Sequence, residues 1–220
     1  MRLPFTLIIV LILLSVGCHA LSLGRIEAVR PVSSTARRGK VYLVRGWRDL
    51  YSAGMDRLAD ELSASGVDAN AYRDEQWQDL EAAIAITYRR EPTHDPLVLI
   101  GFSYGADDVL KMAREFQNDG IVCDAVITID PVTPPLVPEN VRVCYNFFQT
   151  NGIWDLFPWL RGVPLQSQVR GNLMNIDLRK DHPELLEPNT AHSTIAANPK
   201  VHRAIIDRVL LICAPRSSEK

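Results

Sequence analysis

From Lys40 onward the chain alternates short apolar runs with longer segments whose apolar residues recur every three or four positions. Few folds tolerate that pattern. Val41-Tyr42-Leu43-Val44 is a β-rich run ending at Arg45-Gly46-Trp47, and residues 67–72 read as a second strand. Pro96-Leu97-Val98-Leu99-Ile100 is unbroken, as a strand covered on both faces requires. Residues 123–129, 141–148 and 172–178 supply three further strands. Between them, Asp49 caps a helix with Met55, Leu58 and Leu62 on one face, which Ser65-Gly66 stops. Residues 74–90 read as a helix with Trp77, Leu80, Ile84 and Tyr88 aligned, another helix runs from Tyr104 to about Asp119-Gly120, and Asn198-Pro199 caps a last one reaching Ile212. Strands spaced by helices of this length predict βαβ units, hence an α/β three-layer sandwich with a mainly parallel sheet flanked by helices. Chemistry in such a sheet gathers at the C-terminal ends of its strands.

A length of 220 residues suits one domain. With 24 basic and 26 acidic residues the formal charge is −2, so no global positive field exists to draw the chain onto nucleic acid. The four cysteines are Cys18, Cys123, Cys144 and Cys213. Three remain if Cys18 serves processing, which leaves at most one bridge; whether Cys123 and Cys144 form it stays open. Neither a CxxC nor a His-x-x-x-His pair occurs, so a structural zinc site has nothing to build on.

Met1-Arg2 is followed by Leu7 to Leu14 without a polar side chain, and then by Ser15-Val16-Gly17-Cys18. This is the tripartite pattern of an export signal, and the apolar stretch falls short of the roughly 20 residues wanted for a spanning helix. Residues 1–17 are therefore expected to be a signal peptide. Cys18 after Gly17 resembles a bacterial lipobox, in which that cysteine is lipidated; cleavage after Ala20 is the competing site, and an uncleaved anchor the third reading. Residues 18–39, rich in Ser and Arg, read as a flexible tether, residues 40–214 as the domain and residues 215–220 as a tail. The expected location is the cell envelope, by lipid anchor, or the exterior.

At the end of the most apolar strand stands Gly101-Phe102-Ser103-Tyr104-Gly105. A serine between strand and helix, flanked by glycines, sits on a turn sharp enough to push its hydroxyl out above the sheet. That hydroxyl needs a base, and the base an orienting acid. Of five histidines, His19 lies in the leader, His94 precedes the central strand, and His202 falls inside the last helix. His192, in the loop ahead of the final helix, is favoured over His182. Asp130 ends a strand at Ile129-Asp130-Pro131 and is favoured over Asp155 as the acid. Asp107 and Asp108 read as first-turn dipole partners. Charge developing on a carbonyl oxygen needs fixed N–H donors; Tyr104, at the helix start, and Trp47, in the turn after the first strand, are the candidates.

These residues, over about positions 40 to 213, resemble the α/β-hydrolase superfamily, with nucleophile, acid and histidine in the order Ser103, Asp130, His192. An acid placed after the neighbouring strand is similar to the arrangement in thioesterase domains and some lipases. Where many members have His-Gly after the strand bearing the oxyanion loop, this chain has Arg45-Gly46. The resemblance implies acyl hydrolysis as a class and no particular substrate; the domain is too small for a large cap, no cofactor or metal is required, and the expected substrate is a small-molecule or lipid-like acyl ester. Ile153-Trp154-Asp155-Leu156-Phe157-Pro158-Trp159-Leu160 reads either as a flap over the site or as a loop packed back on the core. The expectation is thus an exported serine hydrolase cleaving an ester or thioester, with a non-catalytic envelope-anchored binding protein of the same fold as the alternative.

Overall fold

A computed structural model describes residues 23–49, 51–91, 93–150 and 162–216. Six strands, β1 (Lys40–Val44), β2 (Asp68–Tyr72), β3 (Leu97–Phe102), β4 (Ala125–Ile129), β5 (Cys144–Phe148) and β6 (Leu173–Asp177), form one sheet in the order β2-β1-β3-β4-β5-β6. Every pairing is parallel. Parallel neighbours cannot be joined by a hairpin: helices make the crossovers from β1 to β2, β2 to β3 and β3 to β4, whereas residues 130–143 join β4 to β5 without one. The apolar run at β3 lies in the sheet interior, and all six of its residues are buried.

Alternation along each strand sorts side chains between two cores. Val41 and Leu43 of β1, with Val98 and Ile100 of β3, face the helices α1 (Ala53–Ala64) and α5 (Pro199–Ile212) through Met55, Leu58, Leu62, Val201, Ile205 and Val209. Tyr42 and Val44, with Leu97 and Leu99, face α2 (Trp77–Arg90) and α3 (Tyr104–Asn118) through Leu80, Ile84, Leu110 and Phe116. The three-layer α/β sandwich expected from the sequence is the architecture found. At about 25 cal/mol per Å² of apolar area, each fully buried Leu or Ile in these layers contributes about 2 kcal/mol.

Several boundaries differ from the sequence reading. Cys123 and Val141 form an isolated parallel bridge before β4 and β5 begin. A one-turn helix, α4 (His192–Ile195), replaces the loop expected around His192. Asn198 caps α5 as expected, its side chain accepting from the Lys200 and Val201 N–H groups. The three cysteines beyond Cys18 are free and buried, so Cys123 and Cys144 do not pair. Burial pushes the Cys144 and Cys213 thiols up to about 12.

The flexible tether is corrected over residues 23–39. Gly24 N–H donates to the Ala71 carbonyl at 2.8 Å, Val29 is 2% exposed within the α2/α3 core, and Tyr42 Oη donates to the Arg30 carbonyl. The segment is a strap running from the C-terminal end of β2 to the opposite pole, where Ser33 N–H meets Asp95. The domain also extends past 214: Arg37 bridges Pro215, and Arg216 donates to Asp95, which Arg38 joins from the other side. No helix among the described residues is long and apolar enough to cross a membrane.

Candidate active site

The register aligns Val44 with both Tyr72 and Gly101, Phe102 with Ile129, and Phe148 with Asp177. The residues that follow β3, β4 and β5, namely Ser103, Asp130 and Gln149, therefore emerge along one rim of the sheet.

Ser103 has φ 55° and ψ −123°, a conformation costly for a residue with a Cβ. It is enforced from both sides. Ser103 N–H donates to the Ile129 carbonyl at 2.9 Å, while the Ser103 carbonyl accepts from Ala106 N–H at 3.0 Å as α3 starts. The flanking glycines are needed for close approach: an ideal Cβ on Gly101 would lie 2.2 Å from the Gly105 oxygen, and one on Gly105 would lie 2.1 Å from the Arg45 oxygen. The second contact also sets the turn after β1 against the start of α3. Tyr104, first residue of α3, contributes one of the N–H groups that lack an intrahelical partner at a helix start.

The three side chains selected from the sequence converge. Ser103 Oγ lies 3.0 Å from His192 Nε2, and His192 Nδ1 lies 3.2 Å from Asp130 Oδ2. Asp130 is fully buried, and Ser103 and His192 are 7% and 9% exposed. The imidazole also lies against the Phe102 ring, with centroids 5.3 Å apart. Asp130 has φ 46° and is held by its N–H to the Phe147 carbonyl at 2.8 Å. The arrangement is a hydroxyl, a base and a buried acid in a hydrogen-bonded series, in which the imidazole can take the serine's proton while the carboxylate orients it.

Trp47 opens a 3₁₀ turn (Trp47–Asp49) directly after β1 and is 53% exposed, its ring 5.2 Å from the Arg48 guanidinium. The turn is fastened by Gly46 N–H to Ser52 Oγ at 3.0 Å and Arg48 N–H to Asp74 Oδ2 at 3.0 Å. Arg45 is buried and pairs with Asp56 and Asp49. Burial raises the Asp74 carboxyl above its ordinary range, despite backbone donors from Arg48 and Glu75.

His182 pairs with Glu184 at 2.9 Å on the surface, and His94 packs on the Tyr88 ring. Asp155, the flap around residues 153–160, and Cys18 lie outside the described residues.

Sequence reading missed three supports. Gln149 donates to both Asp130 oxygens, from its N–H to Oδ1 at 3.0 Å and from Nε2 to Oδ2 at 3.1 Å. Its position, one residue past a strand end, was the available signal. Asp107, read as a dipole partner, instead accepts from Val132 N–H, Thr133 N–H and Thr133 Oγ1 and so fastens the turn behind Asp130. Burial outweighs those donors and raises its pKa. His202 places Nδ1 2.8 Å from Glu61 and Nε2 2.7 Å from the Ala196 carbonyl, just past α4. No group of metal-binding side chains occurs among the described residues.

No family model and no curated protein matches this chain. Among solved structures, a serine hydrolase of Xanthomonas campestris described as having no lid matches with TM-score 0.51 and 15% identity, over 85% of this chain and 88% of that one. A YdeN-like hydrolase of Pectobacterium atrosepticum matches with TM-score 0.45 and 15% identity, over 80% and 94%. The NocB thioesterase domain matches with TM-score 0.45 and 14% identity, over 76% and 94%. The parallel sheet, the serine turn between β3 and α3 and the match to the Xanthomonas structure together show that this chain has the α/β-hydrolase fold.

Proposed function

We propose that the protein is an exported serine hydrolase that cleaves a carboxylic ester or thioester through an acyl-enzyme. The observation that carries this reading is the hydrogen-bonded series from Ser103 Oγ through His192 to Asp130, at 3.0 and 3.2 Å. In the first step His192 Nε2 takes the proton of Ser103 as Oγ bonds to the carbonyl carbon. The N–H groups of Tyr104 and Trp47 receive the oxyanion, and Asp130 stabilises the imidazolium through Nδ1. His192 then gives its proton to the departing alkoxide or thiolate. Water attacks the acyl-serine with His192 again as base, and His192 returns that proton to Ser103 Oγ as the carbon–Oγ bond breaks and the acid leaves. None of these steps draws on a metal or organic cofactor.

Export rests on the tripartite pattern of residues 1–17, and lipid attachment on Cys18 after Gly17. Both belong to the same proposal: the domain works at the cell envelope.

The test is labelling by a fluorophosphonate probe. The folded chain is expected to take one equivalent at Ser103, and Ser103→Ala none. Equal labelling of both chains, or no labelling of the parent, would overturn the assignment.

A further inference from the structure

The strap that replaces the expected tether has a geometric consequence. Gly24 is bonded to the Ala71 carbonyl near the C-terminal end of β2, and its Cα lies against the Tyr72 ring. Tyr72 is level with Val44 and Gly101 in the sheet, so the described residues begin at the rim that carries Ser103. Only six residue steps separate Cys18 from Gly24. Whatever their conformation, they reach at most about 22 Å. The C-terminal end is held at the opposite pole, by Arg216 on Asp95.

That rim is also where aromatic side chains stand exposed: Trp47 at 53%, Tyr51 at 66% and Tyr104 at 37%. The turn presenting the first two has Arg48, Asp49 and Tyr51 all at positive φ. Left-handed backbone at three side-chain-bearing residues persists only where surroundings enforce it. Here Asp49 is gripped by Arg45 and Arg73, and Arg48 N–H by Asp74. Rings with a polar edge, beside an arginine, are the side chains suited to the boundary between headgroups and acyl chains.

The geometry points to a docked orientation: the serine-bearing rim faces the lipid layer that holds Cys18, with Trp47 and Tyr51 seated in its surface, and the substrate is a long-chain acyl ester drawn from that layer. This inference rests on the hydrolase and lipid-anchor readings above. A leash this short, attached at the active rim, keeps the opening near the surface, and aromatic contact at the same rim selects one orientation.

The test uses the full chain purified from membranes and reconstituted in phosphatidylethanolamine and phosphatidylglycerol vesicles, with two readouts. In the first, brominated phospholipids are expected to quench the parent's tryptophan fluorescence and to quench Trp47→Phe markedly less. Equal quenching, or failure of the chain to float with the vesicles, overturns the orientation. In the second, Tyr51→Asn, tolerated at φ 58° because asparagine accepts left-handed backbone, is expected to lower turnover of a vesicle-borne long-chain nitrophenyl ester at least threefold. Turnover of a water-soluble short-chain ester should stay within twofold of the parent. Equal effects on both esters overturn the lipid-layer substrate. If neither ester is cleaved while Trp47 quenching persists, the hydrolase reading falls and the orientation stands.

Discussion

Ser103, Asp130 and Gln149 each follow the last residue of a neighbouring strand. A strand end is where a side chain can leave the packed layer while its backbone stays hydrogen-bonded. Gln149 is the least expected of them. Its two donors hold both carboxylate oxygens of Asp130, while its own Oε1 is buried with no partner among the described residues. Replacing it separates function from stability. Gln149→Leu removes the Nε2 donor and keeps the backbone N–H, so kcat/KM on a nitrophenyl ester is expected to fall about fivefold, from about 1 kcal/mol of lost orientation. Thermal stability should change by less than about 1 kcal/mol, because the same substitution removes an unsatisfied buried acceptor. The glycines behave differently: Gly105→Ala drives a methyl group into the Arg45 carbonyl. It is expected to destabilise by about 3 kcal/mol or more in chemical denaturation, since the opposing atom is backbone and cannot turn away.

At the scale of elements, the one-turn helix α4 carries His192 but has only four residues, too few to be stable alone. Its support comes from outside. Ala196, next after α4, gives its carbonyl to His202 Nε2, whose other nitrogen meets Glu61 on α1. Asn198 adds bonds to the Leu185 carbonyl and Thr190 Oγ1. His202→Leu keeps the volume but leaves the Ala196 carbonyl unsatisfied in the core. Stability is expected to drop by about 2 kcal/mol in urea titration. The value of kcat should drop several-fold while KM holds, because the substrate is still bound but His192 is less well placed. A variant with unchanged kcat would show that α4 does not depend on this contact. Helical and strand periods were legible in the sequence, since each element shows the core one face and that requirement is local. The one-turn helix left no period to read, and the tether was misread because a packed strap of this kind buries few side chains, Val29 chief among them.

Across the whole molecule, the two poles of the sheet divide the work. The C-terminal ends of the strands carry the candidate active site, and the other pole ties Ser33 and Arg38, from the far end of the strap, to Arg216 through Asp95, which is 2% exposed. Burial pushes the Asp95 carboxyl up, but the Ser33 N–H and the Arg38 and Arg216 guanidinium groups outweigh it and hold the pKa below the ordinary range. A carboxylate depressed in the native state stabilises above its unfolded pKa, and that stabilisation is lost as pH falls through the native value. Asp95→Ala is therefore expected to cost about 3 kcal/mol at neutral pH. The gap between variant and parent should close as pH drops below about 4. Urea midpoints measured from pH 7 to pH 2 check this; a gap independent of pH would mean that the charge of Asp95 contributes nothing.

Local order along the chain was enough to specify the sandwich, the turn bearing Ser103 and a short set of candidate partners, because periodicity and glycine placement constrain backbone within a few residues. Seating His192 on Asp130, finding Gln149 behind Asp130, and turning residues 23–39 from a leash into a strap required folding in three dimensions. Those contacts join residues 62 apart for His192 and Asp130, 19 apart for Asp130 and Gln149, and from Gly24 to Ala71 across two elements. Nothing in the local pattern encodes such distances; they exist only once burial of the two cores has brought the strand ends into register.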